Sequence, residues 1–210
     1  MLLNYLKIAL RALWKNKGIA SINIVGLSVG IACFTLFLLH VLDEFGFDQF
    51  HAKADRLFSV YRQVGELNGY PAQKDNFQPM PLGPALQTDL PDVAHFARFQ
   101  ELGEVFIRTP KGVVMEEVDY TDAAFFEMFS FPFLYNNGTS ALASSKDVVL
   151  TTKMANKLFG ESNPVGKTLE IKIDEVFEPF VVCAVTEDIP SNSSLNFGIL
   201  LAFEKFAQTE

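Results

Sequence analysis

Cysteine is scarce in this chain, with only Cys33 and Cys183 among 210 residues. One lies inside a long apolar run and the other in an apolar stretch near the C-terminal end. They are poorly placed to pair, so no disulfide framework is expected. Histidine is almost as rare: His40, His51 and His95 lie neither near a cysteine nor near one another at metal-ligand spacing. Ser144-Ser145, Ser191 and Ser193-Ser194 sit in turn-like contexts, without the flanking glycines of a nucleophile elbow. The acid pairs Glu116-Glu117 and Glu187-Asp188 read as solvated edges. Gly166-Lys167-Thr168 looks like the end of a phosphate loop, but Gly160 lies six positions before Gly166 where that loop needs five. The segment before it reads as a helix and the one after it as a strand, the reverse of the order a phosphate site requires. A turn entering a strand accounts for it. No enzyme signature survives, and no cofactor or metal site is expected in this chain. Low-complexity runs and internal repeats are also missing.

Charge is absent from one place above all. Ile19 to Leu42 runs for 24 positions without Asp, Glu, Lys or Arg. A helix of that length spans about 36 Å, enough to cross a hydrocarbon core of about 30 Å with some tilt. A signal peptide has a shorter apolar region, closed by a small-x-small cleavage site. The nearby match, Ala52-Lys53-Ala54, comes only after the bulky, charged DEFGFDQFH. The reading is a retained transmembrane helix over 19–42.

Its flanks differ in sign. Residues 1–18 hold Lys7, Arg11, Lys15 and Lys17 and no acid, whereas Asp43, Glu44 and Asp48 follow the run. Positive flanks stay cytoplasmic, which places the N-terminus inside and residues 43–210 outside a bacterial inner membrane. That outer part has 13 basic and 25 acidic residues, net −12, beneath a whole-chain charge of −8. Such an acidic domain argues against a nucleic-acid partner.

Within residues 1–18, Asn4, Lys7, Arg11 and Lys15 recur at three- and four-residue spacing, with Leu2, Leu3, Leu6, Leu10 and Leu13 mostly on the other side. This is an amphipathic helix for the cytoplasmic interface, with Trp14 at headgroup depth. Lys7, Arg11, Trp14 and Lys15 are its interface residues, and docking of a cytoplasmic partner is the alternative use of the same face. Inside the span, Gly26 and Gly30 form a G-x-x-x-G pair with Ser28 between them and Asn23 one turn earlier. Small residues admit a second backbone and a polar group in lipid seeks a partner. Asn23, Gly26 and Gly30 are therefore the candidate packing face toward another membrane helix.

About 165 residues follow the span, enough for one sizeable domain or two small lobes, and the chain's 21 phenylalanines make a packed core plausible there. The patterns predict strands near 57–64, 94–100, 104–108 and 112–120, with a hairpin turn at Pro110-Lys111-Gly112 and a loop over 65–81. A short helix at 82–90 ends at Pro91, and Asp122 is placed to cap another through Phe125 to Phe129. A strand at 147–150 leads to a helix capped by Thr151 or Thr152 and ended by Gly160. Strands near 168–173, 180–187 and 195–202 complete the chain. Helices and strands mix without regular alternation, which is the mark of an α+β fold.

LKIALRALWKNKGIASINIVGLSVGIA, followed by FDQFHAKADRLFSVYR, resembles the start of an ABC-transporter permease of the MacB/FtsX-like family. FFEMFSFPFL, VVLTTKMANKLFG, NPVGKTLEI and FVVCAVTEDIPSNSSLNF are similar to that family's periplasmic core domain. The resemblance is weakest over 65–95. It implies four membrane helices with the core domain between the first two, and a dimer of permease copies or homologues. It also implies a cytoplasmic ATPase partner that binds the ATP, with a periplasmic adaptor and an outer-membrane channel as further candidate partners. The role implied is coupling of ATP hydrolysis to movements of the outer domains, for export or for lipoprotein, peptide or antimicrobial handling. Stopping at Glu210, the chain lacks the remaining helices, so the expectation is an N-terminal portion or a gene remnant. A single-span receptor with a ligand-binding outer domain is the alternative, and the short inner segment speaks against it.

Overall fold

The computed structural model describes residues 2–65, 73–138, 140–160 and 163–207. Two compact units make up the chain, Met1–Phe47 and Asp48–Glu210. In the first, α1 (Leu2–Lys15) and α2 (Lys17–Phe45) meet at Asn16, whose φ of −118° and ψ of 50° leave helical geometry. The most apolar 18-residue window of α2 has a mean hydropathy of 2.3 and none of it is buried. Among the described residues α2 is the one helix long and apolar enough to cross a membrane. On α1, the side chains of Leu2, Leu3, Leu6 and Leu10 lie outside the described residues, while Leu13 and Trp14 are exposed.

The second unit opens with a short 3-10 turn, Ala54–Arg56. Strands β1 (Arg62–Val64) and β2 (Gln73–Asp75) pair antiparallel, and α3 (Leu82–Asp89) follows. The core of the unit comprises β3 (Phe99–Thr109), β4 (Gly112–Thr121), α4 (Phe125–Met128), β5 (Phe133–Asn136), β6 (Asp147–Thr151), α5 (Thr152–Phe159), β7 (Thr168–Ile173), β8 (Val176–Thr186), β9 (Ile199–Ala202) and α6 (Phe203–Ala207). Six of these strands pair in a closed cycle, β6–β8–β7–β3–β4–β9 and back to β6, and β5 adds to β8. The parallel pairs are β6–β8 and β4–β9, and the rest are antiparallel. Closure leaves few free edges.

Period-2 alternation explains the cycle's interior. On β7, Leu169, Ile171 and Ile173 point inward while Thr168, Glu170 and Lys172 stay nearer solvent. With Ile107, Val118, Tyr120, Val148, Leu150, Phe180, Val182, Ile199 and Leu201 they form one apolar cluster, to which α5 adds Ala155 and Leu158. β6, β9 and the second half of β8, from Val182 to Thr186, are buried on both faces, so they read as near-continuous apolar runs. Their second face, with Val149, Cys183, Ala184, Leu200 and Ala202, lies under a phenylalanine layer built from Phe125, Phe131 and Phe197. Phe125 and Phe131 stack at 5.6 Å between centroids, and Phe197 meets both edge-on. Cys33 and Cys183 are both free thiols.

The α5 signals act as read: the Thr151 hydroxyl accepts from the Met154 N–H, and Gly160 ends the helix at φ +78°. Gly166, at φ +82°, turns the chain into β7. Elsewhere tertiary contacts override local pattern. Residues 57–61 are not a strand, because β1 finds a partner only over Arg62–Val64 and Phe58 is left 85% exposed. Residues 94–98 are not one either, since the Arg98 N–H donates to the Asp122 carboxylate at 2.7 Å instead of joining a ladder. That same carboxylate takes the Arg98 guanidinium at 2.5 Å, so it does not cap α4, whose N-cap is Ala124. The two strands expected over 94–108 become one, β3, carried past Glu101 by a bulge at Gly103, φ +86°. β9 is shorter than the expected 195–202, its approach held by the Ser193 hydroxyl donating to the Leu195 carbonyl. β5 was without a signal of its own. Gly69-Tyr70-Pro71, in the expected loop, lies outside the described residues.

Candidate functional site

Asn23, Gly26 and Gly30 all lie on α2, three and four residues apart and so on one face. A Cβ built on Gly26 or Gly30 meets nothing within 4 Å, leaving that face open to a second backbone. Lys7, Arg11, Trp14 and Lys15 are exposed on α1. Trp14 is 71% exposed, with the Lys17 ammonium 5.0 Å from its ring centroid.

A second cluster sits where the second unit begins, at Asp48 to Lys53. Asp48 has φ +56°, a left-handed conformation that Asp tolerates better than most residues. Its N–H donates to the Asn192 carbonyl at 2.9 Å, and its carboxylate accepts from the Ser194 N–H at 2.9 Å. Three residues on, His51 is buried against Phe50, Phe129 and Phe131, with centroids 4.1, 5.2 and 5.2 Å away. The Ser130 N–H donates to His51 Nδ1 at 3.1 Å, and the Ala52 N–H donates back to the Ser130 hydroxyl at 2.9 Å. Lys53 Nζ reaches the Glu127 carbonyl at 2.5 Å. Residues 48–53 are thus fastened to two distant stretches, 127–131 and 192–194.

The electrostatics of this fastening favour a neutral imidazole. Because Nδ1 accepts an amide hydrogen, the neutral ring carries its proton on Nε2. Nε2 is buried without a hydrogen-bond partner and stands 4.0 Å from the Asp48 carboxylate. Burial pulls the His51 pKa below its ordinary value of 6.5, and Asp48 only partly opposes it. The arrangement is a set of internal hydrogen bonds and ring contacts. What it can do is hold two segments rigidly at the root of the domain. In the sequence this stretch stands out only as part of the family resemblance, and His51 only as a histidine outside any metal cluster. The signal available in the sequence was local, a lone histidine set between Phe50 and Ala52.

Two titratable groups lie apart from it. Asp119 faces Glu101 across the β3–β4 ladder, with Glu117 two residues away, and its carboxyl is pushed up to about 6, first by burial and then by those acids. The Tyr120 hydroxyl is pushed up to about 12, mainly by burial.

The family profile described as MacB-like periplasmic core domain matches residues 20–210. Among solved structures, a domain of a putative permease protein from Porphyromonas gingivalis superposes with a TM-score of 0.51 at 23% identity, over 59% of this chain and 56% of that one. The periplasmic region of MacB from Actinobacillus actinomycetemcomitans gives 0.41 at 15%, over 53% and 49%. The extracellular domain of the noncanonic ABC-type transporter YknZ from Gram-positive bacteria gives 0.42 at 15%, over 54% and 56%. The chain therefore spans about half the length of these relatives. No curated protein sequence matches it.

Proposed function

This chain belongs to the family of MacB-like periplasmic core domains, and from that premise we propose that it is the N-terminal part of an ABC-transporter permease that transmits movement across a bacterial inner membrane. In this reading α2 spans the bilayer with its N-terminus cytoplasmic, as the +4 charge of residues 1–18 favours. The Asn23, Gly26 and Gly30 face packs on another permease helix. A cytoplasmic ATPase binds and hydrolyses the ATP, and two permease copies or homologues shift between two arrangements that the outer domains follow. Substrate handling, whether export or release of lipoproteins or peptides, is the output of that movement.

The observation that carries the reading is the fastening at Asp48 to Lys53. Only Gly46 and Phe47 separate the end of α2 from Asp48 in sequence. Asp48, His51, Ala52 and Lys53 are then each bonded into the domain. In this reading a movement of α2 reaches the domain through Gly46 and Phe47 alone, into residues that the domain itself holds. A reporter active only outside the cytoplasm, fused after Glu210, tests the topology. It is expected to be active, and activity of a cytoplasm-only reporter at that position would overturn the proposal.

A further inference from the structure

The bend between α1 and α2 leaves a shallow cleft of about 460 Å³ lined by Leu13, Trp14, Lys17, Ala20, Ser21 and Ile24. Its chemistry is graded. At one end the Lys17 ammonium stands over the Trp14 ring at 5.0 Å, and at the other Ala20 and Ile24 lead along the apolar helix, with the Ser21 hydroxyl between. Residues 1–18 contain four cations and no acid to neutralise Lys17 in place. From this amphiphilic grading we infer that the cleft is a binding site for an anionic phospholipid, which rests on the reading of α2 as a membrane span with Trp14 at the interface. The phosphate meets Lys17, a hydroxyl-bearing headgroup or ester meets Ser21, and an acyl chain lies along Ala20 and Ile24. A zwitterionic choline headgroup gains less, because the segment offers no carboxylate to its cation. Charge complementarity selects the lipid: a basic residue at an anionic membrane surface contributes about 1 kcal/mol, or about fivefold in local lipid enrichment.

Trp14 is the only tryptophan in the chain, so its emission reports on this cleft alone. The full chain is reconstituted in phosphatidylcholine vesicles containing a low, equal mole fraction of either dibrominated phosphatidylglycerol or dibrominated phosphatidylcholine. The expected result is stronger Trp14 quenching by the anionic lipid, corresponding to about fivefold enrichment. Lys17→Gln removes most of that difference. Lys7→Gln deletes the same charge away from the cleft and preserves most of it. Equal quenching by the two lipids, or equal losses in the two variants, would overturn the site while leaving the membrane reading intact. No quenching even in vesicles made wholly of dibrominated phosphatidylcholine would instead remove Trp14 from the interface, and the membrane placement would fall together with the site.

Discussion

At the scale of single residues, two groups with displaced pKa values make opposite demands on pH. His51 is kept neutral below its ordinary 6.5, so at lower pH the unfolded chain binds a proton that the folded domain resists. Its contribution is complete above about 6.5 and declines as pH falls below that value. An NMR titration of His51 in the wild-type chain is expected to give a midpoint below 6.5, and a midpoint above it would show that Asp48, not burial, dominates. Asp119 works the other way. With its carboxyl raised from 3.8 to about 6, the folded state binds the extra proton between those values, so stability from this group falls as pH rises through them. Asp119→Asn is therefore expected to stabilise the domain at neutral pH by on the order of 1–2 kcal/mol and to do nothing below about pH 4. Denaturant unfolding of both proteins at the two pH values measures this. A variant less stable than wild type at neutral pH would contradict the burial argument.

At the scale of elements, what was legible in the sequence were features set by neighbours along the chain. The Thr151 cap, the Gly160 stop and the alternation of Leu169, Ile171 and Ile173 are local signals, and the structure has each of them. The Asp122 carboxylate was misread because its partner, Arg98, lies 24 residues away. The missing strand at 57–61 failed for the same kind of reason, since a strand requires an edge to pair with and pattern alone does not supply one. His51 and Ser130, 79 residues apart, carry no mutual signal at all. Gly160 lends itself to a direct test. Its φ is +78° and an added Cβ would stand 2.2 Å from Lys111 Nζ, the movable end of a side chain, so the strain is chiefly backbone. Gly160→Ala is expected to cost about 1 kcal/mol in denaturant unfolding, and a neutral result would mean that the helix end relaxes freely. For α2, Gly26→Leu or Gly30→Leu in the complete permease is expected to reach the membrane normally and to lose transport-coupled ATP hydrolysis. Lipid does not disfavour leucine, whereas a helix partner does. Thr35→Leu, on the far side of the helix, serves as the comparison, and equal activity in all three would make the span a mere anchor.

At the scale of the whole molecule, a helix suited to the membrane precedes a domain that contains a closed strand cycle and holds its own first residues, Asp48 to Lys53, by hydrogen bonds. The cycle itself is a packed interior, with Ile107, Val118, Val148 and Ile199 fully buried, and so is suited to moving as a body. The phenylalanine layer connects that body to the root, because Phe131 touches both Phe125 and His51. If this is how force passes, then loosening Asp48 and His51 should separate ATP hydrolysis from movement. The exposed Val113 on β4 offers a labelling position, with Cys33→Ser clearing the exposed native thiol and Cys183 buried. In the dimeric permease with an ATPase that the proposed function implies, held in a bilayer, spin-label distances between the two Val113→Cys positions are measured with and without ATP. The expected distance distribution shifts on ATP addition in the otherwise native protein. In the Asp48→Ala, His51→Ala variant the shift is lost while ATP is still hydrolysed. An ATP-driven shift of the same size in that variant would contradict transmission through the root.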